Sequence, residues 1–297
     1  MQVNRRKPIV VGVGELLWDM LPTGKKVGGA PVNFVYHASQ VGAEGYAISA
    51  VGNDDLGNEI LQELDANSIQ YMIEKVPYPT GTVQVSLQNG IPNYEIKERV
   101  AWDYLVPTSK AIDLAEEADV ICFGTLGQRS PQSRNTIQTI LSFASEEAYR
   151  IFDINLRQHY YTKELIEESL YLANVLKIND EELLVIRELF GLSGTEEDIA
   201  HWFIEHYGLR MVVLTAGASY SSIYTKEMVS ILSTPTVEVV DTVGAGDAFT
   251  GALITSLLNG ASLKEAHEYA IQIAAYVCSK EGAWPAYKDK DKSQGYF

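Results

Sequence analysis

Short, mostly apolar runs recur at residues 9–13, 46–51, 120–123, 150–154, 175–178 and 211–214, each bounded by turn or polar residues. Runs of that length and composition predict strands covered on both faces. Between them, residues 32–41, 56–66, 133–144, 163–174 and 196–207 carry apolar side chains at helical spacing. Strand alternating with helix predicts an α/β fold with a doubly wound, mostly parallel sheet. Residues 82–88 break the rhythm: Val83, Val85 and Leu87 share one face, Asn89-Gly90 supplies a tight turn, and Tyr94-Glu95-Ile96 resumes the alternation. That is a hairpin signal rather than a crossover. Residues 16–21 also alternate, up to Pro22-Thr23-Gly24. Joined to the hairpin they would make a small β-sheet lid standing off the main sheet; an antiparallel extension of the main sheet is the alternative. The expected division is a main α/β domain at 1–12, 32–77 and 106–297, with the lid at 13–31 and 78–105. One further alternating stretch, residues 236–240, predicts another strand.

Composition narrows the partners. With 297 residues and 46% of them hydrophobic, the chain can bury a large core. Its 39 acidic against 23 basic side chains leave a formal charge of -16, which repels nucleic acid and anionic lipid. No apolar run approaches the roughly 20 residues of a membrane helix. The start, Arg5-Arg6-Lys7 and then residues 9–13, imitates a signal peptide but stops at Glu15. Two cysteines, Cys122 and Cys278, suit a reducing, cytoplasmic setting better than a disulfide framework. The run from Lys288 to Lys292 reads as a solvated tail. A polyanionic ligand would need local help from backbone N–H groups, a few placed cations or bound metal.

Such help is present after the 236–240 stretch. Asp241 is followed by Thr242 and Val243, then Gly244-Ala245-Gly246, and then an apolar helix through Phe249, Leu253 and Leu257. A tight turn feeding a helix N-terminus presents unpaired N–H groups to an anion. Asp247 lies in the first turn. A carboxylate beside an anion hole suits proton acceptance from an attacking hydroxyl, and it also suits ordinary capping.

The stretch Asp241-Thr242-Val243-Gly244-Ala245-Gly246-Asp247-Ala248-Phe249-Thr250-Gly251-Ala252 resembles the C-terminal signature of the ribokinase-like (PfkB) carbohydrate kinases. Gly28-Gly29-Ala30-Pro31-Val32-Asn33, Gly42 and Gly52-Asn53-Asp54-Asp55-Leu56-Gly57 resemble the N-terminal signature, so the likeness spans essentially the whole chain. Val35 departs from the family's usual small residue. The resemblance implies that Asp247 is the catalytic base and that Gly244, Ala245 and Gly246 form the anion hole. It implies ATP and Mg²⁺ as cofactors: Asn179 at the nucleotide, with Glu182 organising Mg²⁺ through water, and Thr215, Gly217 and Thr242 contacting the nucleotide. Tyr220 stands where the family often has glycine. Asp241, with Gly282-Ala283, falls at the family's monovalent-cation site, so K⁺ is a further candidate. On the sugar side it implies Asp19, Gly28, Gly29 and Asn33, with Arg157 from Asp153-Ile154-Asn155-Leu156-Arg157 reaching substrate or phosphate. Trp102-Asp103 is a candidate wall for the same pocket.

The Gly-Gly-Ala-Pro-x-Asn form, Gly14-Glu15 before Asp19 and the Asp-x-Asn-x-Arg element look most like fructokinases, which implies D-fructose as acceptor. Ketodeoxygluconate kinase or ribokinase activity stays open, as does a sugar-binding regulator without turnover. A nicotinamide dehydrogenase is excluded, since Leu17 occupies the place of the third glycine. The expected partners are a sugar and ATP, with neither nucleic acid nor membrane, and the lid's exposed edge invites a homodimer.

Overall fold

The structure, a computed structural model, describes residues 6–88 and 91–287, with backbone alone at 85–88 and 91–94. Arg5, the Asn89-Gly90 turn and the run from Lys288 to Lys292 lie outside the described residues. The main sheet contains β1 (Ile9–Val13), β4 (Glu44–Gly52), β5 (Gln70–Val76), β8 (Val120–Phe123), β9 (Tyr149–Asp153), β10 (Val175–Asn179), β11 (Met211–Ala216), β12 (Tyr220–Thr225) and β13 (Val229–Ser233). The second sheet contains β2 (Leu17–Leu21), β3 (Gly24–Gly28), β6 (Gly81–Gln88) and β7 (Ile91–Ile96). The helices are α1 (Ala30–Gln40), α2 (Asp55–Ala66), α3 (Ser109–Glu117), α4 (Pro131–Ser142), α5 (Lys163–Leu172), α6 (Asp180–Phe190), α7 (Glu196–Tyr207), α8 (Ala245–Leu258) and α9 (Leu263–Cys278).

The main sheet runs β13-β12-β11-β10-β9-β8-β1-β4-β5, parallel from β11 to β5 and antiparallel at β12 and β13. Its inner strands are mostly apolar because alternate side chains enter two different cores. Val10, Ala47, Cys122, Ile151 and Val213 pack with α1, α2, α8 and α9. Val11, Ile48, Phe123, Phe152 and Val212 pack with α3 to α7 on the other face. The chain winds one way from β1 to β4 and β5, then returns to β8 on the opposite side. The switch between β1 and β8 is where open α/β sheets leave a crevice for ligands. The departure at Val35 is absorbed here: its methyls fill the space left by the missing side chains of Gly12 and Gly45.

The second sheet is separate, ordered β3-β2-β6-β7, so the lid reading holds and the extension of the main sheet does not. It has a small core of its own, with Leu17, Val83, Ile96, Val100, Trp102 and Leu126. Trp18 Nε1 donates to the Leu56 carbonyl at 3.0 Å, and Lys25 pairs with Glu59, tying β2 and β3 to α2. Where the pattern predicts only a turn at 22–24, the chain turns and returns as β3, with Lys25 and Lys26 on an edge strand where lysine discourages uncontrolled pairing. The strand predicted at 236–240 is absent. Pro235 cannot donate to a ladder, Val239 and Val240 are 58% and 59% exposed, and the stretch is tied down only at its end, where Val240 N and Asp241 N donate to the Cys278 carbonyl at 2.8 and 3.3 Å.

Candidate active site

Helix α8 starts at Gly244, whose φ of 79° is costly for any residue with a Cβ; such an atom would also lie 3.1 Å from the Ala283 backbone. No side chain caps this helix. The first-turn N–H groups, including those of Gly246 and Asp247, lie beyond reach of the helix's own carbonyls, an arrangement that can receive an anion. Asp247 accepts from Asn33 Nδ2 at 2.9 Å, a contact between residues 214 positions apart that joins the two ends of the chain. Burial pushes the Asp247 carboxyl up to about 7, helped by the charge of Asp153 and opposed by Asn33, Lys177 and Arg157. The arrangement is thus more than a helix cap: the carboxylate is not bonded to its own helix end but held by another helix.

Beneath this turn lies a group the sequence pattern hides. Lys177 sits within the apolar run 175–178, is 6% exposed, and pairs in register with Asp153 on the neighbouring strand. Its Nζ is 3.4 Å from Asp153 Oδ1 and 3.3 Å from where a Cβ on Gly246 would be. Burial disfavours its charge, but Asp153, Glu182 and Asp247 outweigh that and hold the ammonium above its ordinary value. A charged residue inside an otherwise apolar strand, two positions before Asn179, is the one mark it leaves in the sequence, and that mark alone does not say what it faces.

Asn179 and Glu182 form a reciprocal cap on α6: Glu182 N donates to Asn179 Oδ1 at 2.8 Å and Asn179 N to Glu182 Oε2 at 2.9 Å. Glu182 Oε1 accepts from Leu156 N at 2.9 Å, so this carboxylate also pins the loop after β9. Burial raises its pKa, against the pull of Lys177. In that loop Asn155 and Gln158 have φ of 45° and 49°, backbone strain of the kind that gathers at functional sites. Arg157 is exposed between them, and its charge reaches Glu15, Asp19 and Asp247.

Asp19 on β2 faces Gly28 on β3 so closely that a Cβ at Gly28 would lie 2.3 Å from Asp19 Oδ2. Burial pushes Asp19 up to about 6, with Arg157 opposing. Gly29 is the N-cap of α1, and Ala30 N donates to the buried Glu15 Oε1 at 3.2 Å. Glu15 Oε2 has no partner among the described residues, which makes Glu15 a further candidate beside Asp19. Trp102 is fully buried and Asp103 is paired with Arg129 at 2.7 Å, so this pair packs the lid base and is not a pocket wall.

Thr215, the next-to-last residue of β11, is in register with Asn179, and Gly217 follows the strand with φ 50°, its carbonyl held by Thr234 Oγ1 at 3.0 Å. Tyr220 points elsewhere, its hydroxyl donating to Glu196 at 2.7 Å. Thr242 is exposed, and its carbonyl accepts from Ala245 N at 3.3 Å. Asp241 accepts from Val243 N at 3.1 Å through Oδ1 and from Gly282 N at 3.0 Å through Oδ2, closing the turn onto the segment after α9. Among the described residues no group of three or more His, Cys, Asp or Glu side chains is placed to hold a metal ion, and no helix is long and apolar enough to cross a membrane.

Comparison with known proteins agrees over nearly the whole chain. The family model described as pfkB family carbohydrate kinase matches residues 14–289. An uncharacterized sugar kinase of Pyrococcus horikoshii is 28% identical, over 93% of this chain and 92% of its own. Its crystal structure in complex with ATP superposes with a TM-score of 0.80 at 27% identity, covering 93% of this chain and 94% of that one. A fructokinase of Rhizobium leguminosarum is 27% identical over 84% of this chain and 79% of its own. The fold is shared with a fructokinase of Xylella fastidiosa, at a TM-score of 0.84 and 18% identity over 94% of each chain.

Proposed function

The chain belongs to the pfkB family of carbohydrate kinases and is an ATP-dependent sugar kinase; we propose that its acceptor is D-fructose, phosphorylated at the 6-hydroxyl. The observation that carries the catalytic reading is Asp247, held by Asn33 at the mouth of an uncapped helix with its pKa near neutrality. A base poised near the working pH combines the correct protonation state with useful strength. The acceptor oxygen attacks the γ-phosphorus, the bond to the β,γ-bridging oxygen breaks, ADP leaves, and the hydroxyl proton passes to Asp247. N–H groups of the Gly244-Ala245-Gly246 turn receive the transferring group, with the Lys177 charge behind Gly246.

Asp19, Gly28, Gly29 and Asn33 bind the sugar in this reading, and Arg157 guards the opening. Asn179, Thr215, Gly217 and Thr242 take the nucleotide. Both Glu182 oxygens already accept backbone N–H groups, which fits a role toward Mg²⁺ through water rather than direct ligation; the metal would neutralise phosphate charge. Asp241, with the backbone of Gly282 and Ala283, suits a monovalent cation such as K⁺. Fructose is favoured over ribose and 2-keto-3-deoxygluconate by the Gly28-Gly29-Ala30-Pro31-x-Asn33 form and by the fructokinase relative. Initial rates of ADP formation with fructose, ribose, 2-keto-3-deoxygluconate and adenosine test this. The highest kcat/KM is expected with fructose, and an equal or better value with another acceptor overturns that choice.

A further inference from the structure

The side-chain amide of Asn33 is engaged at both ends. Its Nδ2 donates to Asp247 Oδ2 at 2.9 Å, and its Oδ1 accepts from Trp284 Nε1 at 2.8 Å. An indole N–H is a donor and nothing else. The oxygen end of the amide must therefore face Trp284, which leaves the NH₂ end to face the carboxylate. Trp284 is itself fixed by Tyr36, one turn along α1 from Asn33: the two rings stack at 5.3 Å with 10° between their planes, and the Tyr36 hydroxyl donates to the Pro285 carbonyl at 2.8 Å.

We propose that Trp284 is a positioning residue of the reaction, which by fixing the end of the Asn33 amide that faces Asp247 keeps that carboxylate in the ionised form a base requires. The inference rests on the reading of Asp247 as the base. A flipped Asn33 would present its oxygen to Asp247, repelling the carboxylate and accepting a hydrogen bond from the protonated acid. The two amide orientations thus favour opposite protonation states. With Asp247 near 7, an upward bias of about one unit lowers the ionised fraction about five-fold at neutral pH; on a carboxyl at its ordinary value it would change almost nothing there. The other groups whose charges reach Asp247 are Asp153 from β9, Lys177 from β10 and Arg157 from the loop after β9; the buried Cys122 thiol on β8, pushed up by burial, stays neutral beside it. Trp284 reaches Asp247 through Asn33.

Two variants separate the ring from the donor. Trp284→Phe keeps the stack on Tyr36 and removes the N–H; Trp284→Gln loses the ring and keeps a donor of similar reach. Each is compared as a folded chain, checked by thermal melting, using ATP and whichever sugar of the four-acceptor series turns over fastest. If Gln does not fold, Trp284→His supplies ring and donor together. The acidic limb of log kcat/KM against pH is expected to move up by about one unit in Trp284→Phe, with the alkaline plateau within about twofold of wild type. In the donor-bearing variant the limb stays at the wild-type position even though the melting temperature falls. A limb that does not move in Trp284→Phe, or that moves equally in both variants, overturns the proposal. Asp247→Asn is run alongside: if it keeps the wild-type profile, the reading of Asp247 fails, whereas an inactive Asp247→Asn with an unmoved Trp284→Phe limb defeats the role of Trp284 alone.

Discussion

At the scale of single residues the site is a charge balance between carboxylates pushed up by burial and two cations placed to restrain them. Asp247 must be ionised to accept a proton, and its pKa is raised to about 7, so activity should be present above that pH and be lost as pH falls through it. The check is a kcat/KM profile, expected to fall about tenfold per unit below neutrality; a flat profile down to pH 5 contradicts it. Gly28→Ala should weaken sugar binding, because the new Cβ would lie 2.3 Å from Asp19 Oδ2 and must displace it. Calorimetry should show the KD for sugar rising at least about tenfold, the scale of one lost hydroxyl contact, with nucleotide binding unchanged. Asp247 and Asn33 stand out in the sequence because their motifs combine glycines with polar residues at fixed spacing, whereas Asp19, a lone carboxylate on a short strand, is picked out only by the family resemblance. Lys177 and Trp284 do not stand out, since a lysine inside an apolar run and a tryptophan near the chain's end gain meaning only from what the fold sets beside them.

At the scale of elements, the inner parallel strands were readable because burial on both faces keeps them mostly apolar. The edges were not. Residues 236–240 alternate like a strand yet have no neighbour to pair with, while β3 and β13 pair despite carrying exposed or charged positions. Ladder partners, which are set by the whole fold, decided against the local pattern in both cases. The lid meets the main body at a buried ion pair in which Arg129 Nε and Nη2 both bond Asp103, with the guanidinium 3.8 Å from the Trp102 ring centroid. Removing the cation leaves the Asp103 carboxylate uncompensated at a site where both side chains are 5% and 6% exposed. Arg129→Ala is therefore expected to destabilise the chain by about 3–5 kcal/mol in urea unfolding, whereas a loss below about 1 kcal/mol would mean the pair is effectively solvated.

At the scale of the whole molecule, we propose that a chain of formal charge -16 binds a polyphosphate by concentrating its help at one helix start, one buried lysine and one loop arginine. We also propose that the separate lid sheet keeps water out by closing over sugar, so ATP hydrolysis without sugar should run at least about 100-fold slower than transfer to it. We also propose that the lid's outer strands pair with a second copy of the chain, for which sedimentation at micromolar concentration should show a dimer and a strictly monomeric profile would argue the reverse. The central claim is that the Asp247 carboxylate takes the proton of the attacking sugar hydroxyl. The most direct measurement pairs turnover with sugar binding in Asp247→Ala: the account predicts sugar affinity within a few-fold of wild type and kcat lower by about 10²–10⁴, and a variant that binds sugar and still transfers phosphate at the wild-type rate would contradict it.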